Sequence, residues 1–269
     1  MTKVDPRAAV DPSAQLADGV EIGPFSVIGP GVVLGAGTWI GPHVVIEGDV
    51  TIGKNNRVFP HSAIGLAPQD LKYKNEPTRV EIGDGNVFRE STTIHRGTVG
   101  GGGLTKIGSH GYFMVGTHIA HDCLVGNGVL FANAGTLAGH VEVGDRAVVG
   151  AFSGVHQFCR VGQAAYIGGY SKLTQDALPF CTTQGNRAYC YGINRVGLKR
   201  SGMEPARIEA LDQATRTLFR PTLTRSAAIE EVESRWGDLE EVRVVLDFVR
   251  GSRRGVVPIR IAASGADPE

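Results

Sequence analysis

The stretch from Val20 to Ile52, VEIGPFSVIGPGVVLGAGTWIGPHVVIEGDVTI, puts an aliphatic residue at every sixth position: Ile22, Ile28, Leu34, Ile40, Ile46 and Ile52. A helix would need apolar spacings of three and four, so the pattern is not helical. Outward from this stretch the phase holds without a miss from Val4 to Ile64, eleven positions in all. At 42% apolar composition, such a run arises by chance roughly once in ten thousand tries. The phase resumes at Ile82, Phe88 and Ile94, slips by one residue, and then occupies twelve positions from Ile107 to Leu173. Glycine follows many of these positions, for example at Gly23, Gly35, Gly53 and Gly126, as suits bends in which neighbouring backbones approach closely.

A hexapeptide repeat of this kind predicts a parallel β-helix, three hexads forming one triangular coil. The hexads make eight to nine coils, a prism roughly 40 Å long at ~4.8 Å per coil. Each coil buries its aliphatics only against its neighbours. Two segments break the frame, near 66–79 (LAPQDLKYKNEPTR) and 96–106 (RGTVGGGGLTK), and both read as loops extruded from the prism. The glycine run Gly100 to Gly103 lacks the Gly-Lys-Ser/Thr of a phosphate loop and is expected to be a flexible loop over a neighbouring surface. Past Pro179 the period ends. A helical pattern runs from Pro205 to Phe219, Thr224 can cap a second helix, and Asp238 with Glu241 resembles a capping pair before a third. The expected organisation is a β-helix over 1–190 and an α-helical domain over 191–269, ending in a loose tail, SRRGVVPIRIAASGADPE.

Composition narrows the function. The 269 residues carry 27 Lys+Arg against 27 Asp+Glu, so no overall field recruits nucleic acid or an anionic membrane. No stretch is an uninterrupted apolar run long enough to span a bilayer, and the N-terminus has no apolar signal core, which predicts a soluble, cytoplasmic protein without stable membrane insertion. Cys123, Cys159, Cys181 and Cys190 form neither CxxC nor a dense framework, so neither disulfides nor structural zinc are expected. Cys123 and Cys159 fall two residues before an inward aliphatic, a position for a small packed side chain.

Counted from Ile107 on a coil of three hexads, His118, His121, His140 and His156 fall at positions 11, 14, 15 and 13, and Asp122 falls at 15. Four imidazoles therefore share one edge, outside the inward phase. An imidazole titrates near neutrality and can take a proton from a hydroxyl when a carboxylate holds its tautomer, and His121 beside Asp122 has that composition. His43, His61 and His110 read as ordinary polar residues of turns. Three imidazoles between stacked coils can also bind zinc, as in carbonic anhydrases of the γ class, but the spacings of HIAHDC do not reproduce those sites and no metal is expected.

The motifs QDLKYKNEPTRVEIGD (69–84), TIHRGT (93–98), GGGLTKIG (101–108), HIAHDC (118–123), LAGHV (137–141), VHQFC (155–159), QGN (184–186) and GLKR (197–200) resemble the UDP-N-acetylglucosamine O-acyltransferases, over nearly the whole chain. The resemblance implies a left-handed winding of the helix, since hexapeptide families depart from the usual right-handed crossover. It implies a cytoplasmic homotrimer that moves an (R)-3-hydroxyacyl chain from acyl carrier protein to the 3-hydroxyl of UDP-N-acetylglucosamine, opening lipid A biosynthesis without metal or cofactor. By resemblance His121 is the general base, Asp122 orients it, and the backbone N–H of Gly139 is the oxyanion donor. His95, His118, His140 and His156 match binding and positioning histidines. Gln69, Asp70 and Lys72 match residues near the sugar and phosphate, and Gln157, Asn194 and Arg200 match nucleotide-side contacts. Gly169 matches the residue that limits acyl length, with Tyr166 as a rival limit. Two positions depart from the pattern: Arg187 stands where a histidine follows QGN, and Val196 where a glutamate precedes GLKR. The alternatives are the sister UDP-3-O-acyl-glucosamine N-acyltransferase, which acts on an amine and has an extra N-terminal domain, and a γ-class carbonic anhydrase-like metalloenzyme.

Overall fold

The six-residue period folds into three parallel sheets that the chain visits in rotation. In the computed structural model, which describes residues 1–260, two-residue strands such as Glu21–Ile22, Val27–Ile28 and Val33–Leu34 belong to sheets 1, 2 and 3 respectively. The partner of each lies three hexads on: Glu21 pairs with Trp39, Val27 with Val45 and Val33 with Thr51. Every second strand residue points inward, as the pleat requires, and Ile28, Ile40, Ile64 and Ile94 are fully buried. Phe88, Phe113 and Phe131 stack along the axis with centroids 4.8 and 5.3 Å apart, an offset geometry that adds to their area burial. Small polar residues close the corners from inside. Ser26 Oγ donates to the Gly41 carbonyl and accepts from the Val44 N–H, so the bend leaves no buried donor unpaired.

Both frame breaks sit at one corner, where sheet 2 passes to sheet 3. The pairing offset, three hexads in the regular coils, lengthens to five hexads between Ala63 and Thr93, and to four hexads and one residue between Thr93 and His118. The first insertion therefore adds two whole hexads and keeps the phase. The second adds one hexad and a single residue, which is the slip seen in the sequence. The loops are shorter than the sequence suggests. Strands Ala63–Leu66, Arg79–Ile82 and Leu104–Ile107 extend into them because their backbone groups pair across the ladder, leaving 67–78 and 96–103 outside. Within the second loop Val99–Gly101 forms a 3₁₀ turn, and Gly101 lies against the Asp122 carboxyl.

Sheet 1 continues past the last repeat through Cys181–Gln184, which turns back as the antiparallel strand Tyr189–Ile193. Among the described residues four helices follow: α1 (Arg195–Arg200), α2 (Pro205–Leu218), α3 (Arg225–Trp236) and α4 (Glu240–Arg250). Thr224 caps α3 as expected, its hydroxyl accepting the Ala227 N–H. The Asp238 and Glu241 capping pair does not form. Leu239 is the N-cap of α4, and Glu241 instead pairs with Arg207 of α2 at 2.7 Å. The expected loose tail is corrected for residues 252–260, since Val257 is buried and Cys190 exchanges backbone bonds with Pro258 and Arg260. The rest of that expected tail, 261–269, lies outside the described residues. All four cysteines are free and buried, and burial pushes the Cys123 thiol up to about 12, which leaves it inert as a nucleophile. Among the described residues no helix is long and apolar enough to cross a membrane.

Candidate active site

The corner that carries both insertions is, one coil further on, the corner of His121 and Asp122. Asp122 and, a coil later, His140 occupy the left-handed region at φ 59° and 61°, which Asp and His tolerate better than most residues. His121 Nδ1 lies 2.8 Å from Asp122 Oδ2. An ionised carboxylate only accepts, so Nδ1 carries the proton and Nε2 presents its lone pair. The Asp122 side chain is fully buried although its coil phase is outward. The loop 96–103 covers it: the Thr98 N–H donates to Oδ1 at 2.8 Å and the Thr98 hydroxyl to Oδ2 at 2.6 Å. Gly101 fits there because a Cβ would overlap the Asp122 carboxyl.

His140 lies across from this pair, its ring edge-on to His121 at 5.0 Å and its Nδ1 3.8 Å from Asp122 Oδ2. His95 and His118 form a second edge-on pair at 5.0 Å, and Thr93 Oγ1 bonds His118 Nδ1 at 2.7 Å. His95 is buried, and its Nδ1 has no partner among the described residues. The ring of His121 lies over Gly139, where a Cβ would stand 2.5 Å from Cε1 and 2.7 Å from Nε2. The Gly139 N–H meets no acceptor among the described residues. Asp70 of loop 67–78 is near enough to act on His140, while its own carboxylate accepts the Lys72 N–H. Gln69 and Lys72 are exposed on that loop.

Other expected site residues stand apart. Among the described residues no hydrogen bond or ring contact joins His156, Gln157, Asn194 or Arg200 to this cluster. His156 is exposed and turns to the Gln157 carbonyl, and it is Phe158 that stacks on His140, at 4.4 Å. Asn194 is the N-cap of α1, accepting the Gly197 N–H at 2.9 Å, and Arg200 is exposed at its end. A cavity of about 800 Å³ between sheet 3 and α4, lined by Leu124, Glu142, Arg160 and Phe248, contains none of the histidines. The histidine corner stays partly open to solvent, with the His121 and His140 side chains 14% and 22% exposed. Donor atoms of His121, Asp122 and His140 lie within 4.8 Å of one another, but both Asp122 oxygens already accept hydrogen bonds, so a cation would have to displace Thr98 and His121.

Burial, with the neighbouring His118, His121 and Arg96, lowers the His95 imidazole from 6.5 to about 4. Burial and then His121 lower His118; burial also lowers His140, with Asp122 and Asp70 opposing. Below about pH 6.5 the unfolded chain thus takes up protons that these folded imidazoles refuse, and stability falls as pH drops toward 4. The urea midpoint is expected to decline over that window, and less steeply in His95→Gln. Parallel declines in the two proteins would contradict this.

The fold and the histidine–carboxylate corner define a hexapeptide-repeat transferase. The family pattern described as bacterial transferase hexapeptide (six repeats) matches residues 31–65, and that of UDP-N-acetylglucosamine O-acyltransferase, domain 2, matches 176–257. The acyl-[acyl-carrier-protein]–UDP-N-acetylglucosamine O-acyltransferases of Alkalilimnicola ehrlichii and Thiobacillus denitrificans are 52% and 50% identical over 257 residues, 96% of this chain and 100% of each relative. Among solved structures, LpxA from Acinetobacter baumannii is 44% identical with a TM-score of 0.92, covering 94% of this chain and 99% of that one. The Arabidopsis UDP-N-acetylglucosamine acyltransferase is 32% identical with a TM-score of 0.82 at the same coverages. The chain belongs to the UDP-N-acetylglucosamine O-acyltransferase family, and its parallel β-helix is accordingly left-handed.

Proposed function

We propose that the protein transfers an (R)-3-hydroxyacyl chain from acyl carrier protein to the 3-hydroxyl of UDP-N-acetylglucosamine, the first step of lipid A biosynthesis. The observation that carries the reading is the 2.8 Å bond from His121 Nδ1 to a buried carboxylate, which leaves Nε2 free to accept a proton. His121 takes the hydroxyl proton as the oxygen attacks the thioester carbonyl. The new C–O bond forms, the C–S bond breaks, and the imidazolium passes the proton to the departing thiolate. The Gly139 N–H, which meets no acceptor among the described residues, stabilises the oxyanion in this reading. His95, His118 and His140 line the acceptor pocket with Asp70, Gln69 and Lys72, while His156, Gln157, Asn194 and Arg200 serve a nucleotide held against another subunit.

That division follows from the open corner. A single prism supplies one wall, and pockets favour interfaces, so the site lies between subunits of a cytoplasmic homotrimer whose domains are the 1–190 prism and the 191–269 helical part. Light scattering is expected to show the trimer at assay concentration, and an active monomer would rule it out.

The reading is tested by purified protein with UDP-N-acetylglucosamine and hydroxyacyl carrier proteins of several lengths. O-acylated product supports it; transfer only to an amino-sugar acceptor would assign the sister N-acyltransferase. The same assay reads chain length. A Cβ on Gly169 would meet only the Ala151 backbone, its carbonyl oxygen at 3.3 Å, so a side chain there asks the coil to give by a few tenths of an ångström. Tyr166, 40% exposed, stands on sheet 1 beside it. We expect a long donor to be preferred and Gly169→Met to shift preference to shorter ones, since each buried CH₂ contributes ~0.8 kcal/mol. Unchanged preference in a folded variant would reject the assignment, and a shift on Tyr166→Ala alone would move it to Tyr166.

A further inference from the structure

Two imidazoles compete for one oxygen at this corner. Asp122 Oδ2 is 2.8 Å from His121 Nδ1 and 3.8 Å from His140 Nδ1, and a modest rotation of the carboxyl group would exchange them. What opposes the rotation is the inserted loop. Thr98 gives one hydrogen bond to each carboxylate oxygen, from its N–H to Oδ1 and from its hydroxyl to Oδ2, and two bonds from one residue define the plane of the group. The hydroxyl is diverted from its ordinary use. Thr98 is the N-cap of the turn Val99–Gly101, yet its side chain makes no cap bond, although a threonine there normally satisfies the turn's free N–H groups. Residue and carboxylate are both buried, and Gly97 and Gly101 pack against the same carboxyl, so no water replaces a lost bond from that side.

We propose that Thr98 is a positioning residue for the reaction: its hydroxyl and N–H lock the Asp122 carboxylate so that Oδ2 serves His121 and not His140. The inference rests on His121 as the general base. A hydrogen bond to a charged group that water cannot replace is strong, and here it acts on the orientation of the base, not on substrate binding.

The test compares Thr98→Val, which keeps shape and backbone N–H, with Thr98→Ser, which restores a hydroxyl. Thr98→Val is expected to lower kcat about tenfold, the scale of one such bond, with the KM for UDP-N-acetylglucosamine and the thermal midpoint little changed. Thr98→Ser is expected to recover most of the loss. If Thr98 acts through Asp122, the two are coupled, and Thr98→Val in an Asp122→Asn background costs little more. Wild-type kcat in Thr98→Val, a loss confined to KM, no recovery in Thr98→Ser, or the full loss repeated in the Asp122→Asn background would each overturn the inference while His121→Ala remained inactive. Turnover surviving His121→Ala would overturn the reading beneath it instead.

Discussion

His121→Ala is expected to lower turnover by about 10² to 10⁴-fold, the usual cost of losing a general base, in a protein that still folds. The ring is 14% exposed and stands outside the stacked aliphatic core, so its removal opens no interior cavity. The buried Asp122 carboxylate keeps both bonds from Thr98, which limits the cost of taking away its third partner. Asp122→Asn is expected to lose less, since the base remains while the group that fixes its tautomer is weakened. Circular dichroism and steady-state kinetics on the two variants decide the matter. More than about a tenth of wild-type turnover in folded His121→Ala lies outside the range for a general base and would remove the assignment.

The second large effect is expected at Gly139, for a reason unrelated to backbone freedom, because its φ is not in the left-handed region. The His121 ring fills the space of the missing side chain, with Cε1, Nε2 and Nδ1 at 2.5, 2.7 and 3.1 Å from where a Cβ would stand. In Gly139→Ala the ring must move, and moving it stretches the 2.8 Å bond to Asp122. A displacement near 1 Å at a reacting group can cost about 10²-fold. The backbone N–H survives the substitution and the displaced ring stands outside the stacked aliphatic core, so the thermal midpoint should stay close to wild type. Turnover within about threefold of wild type would show that His121 does not work from this ring position.

The prism is legible in the sequence because its core repeats an interaction that depends only on phase. Ile22, Ile40 and Val58 meet along one sheet because each is one full coil from the next. The histidine corner is legible for the same reason, and the limits have the same origin. An edge is broader than a column: His156 falls at position 13 and turns to the Gln157 carbonyl, whereas Phe158, one full coil beyond His140, is the residue that stacks on it. Asp122 has an outward phase and is buried nonetheless, because what covers it comes from an insertion. The contacts of Thr93 with His118 and of Thr98 with Asp122 span 25 and 24 residues, neither a multiple of the coil. The motif TIHRGT carries both threonines, but nothing in the motif alone says which imidazole or carboxylate each one meets. Asn194, expected at a nucleotide, also matches a cap signal, three residues before the glycine N–H that it accepts.

The two insertions have a consequence beyond the present chemistry. Pairing resumes in register after each of them, with Phe88 and Phe113 still stacked inside. A corner of this prism therefore tolerates new chain without any redesign of the interior, and the geometry of the site is heritable separately from the stability of the scaffold. Corners are where such a molecule is evolvable: a loop of almost any length can be tried above a fixed row of side chains, and a failed trial costs activity without costing the fold.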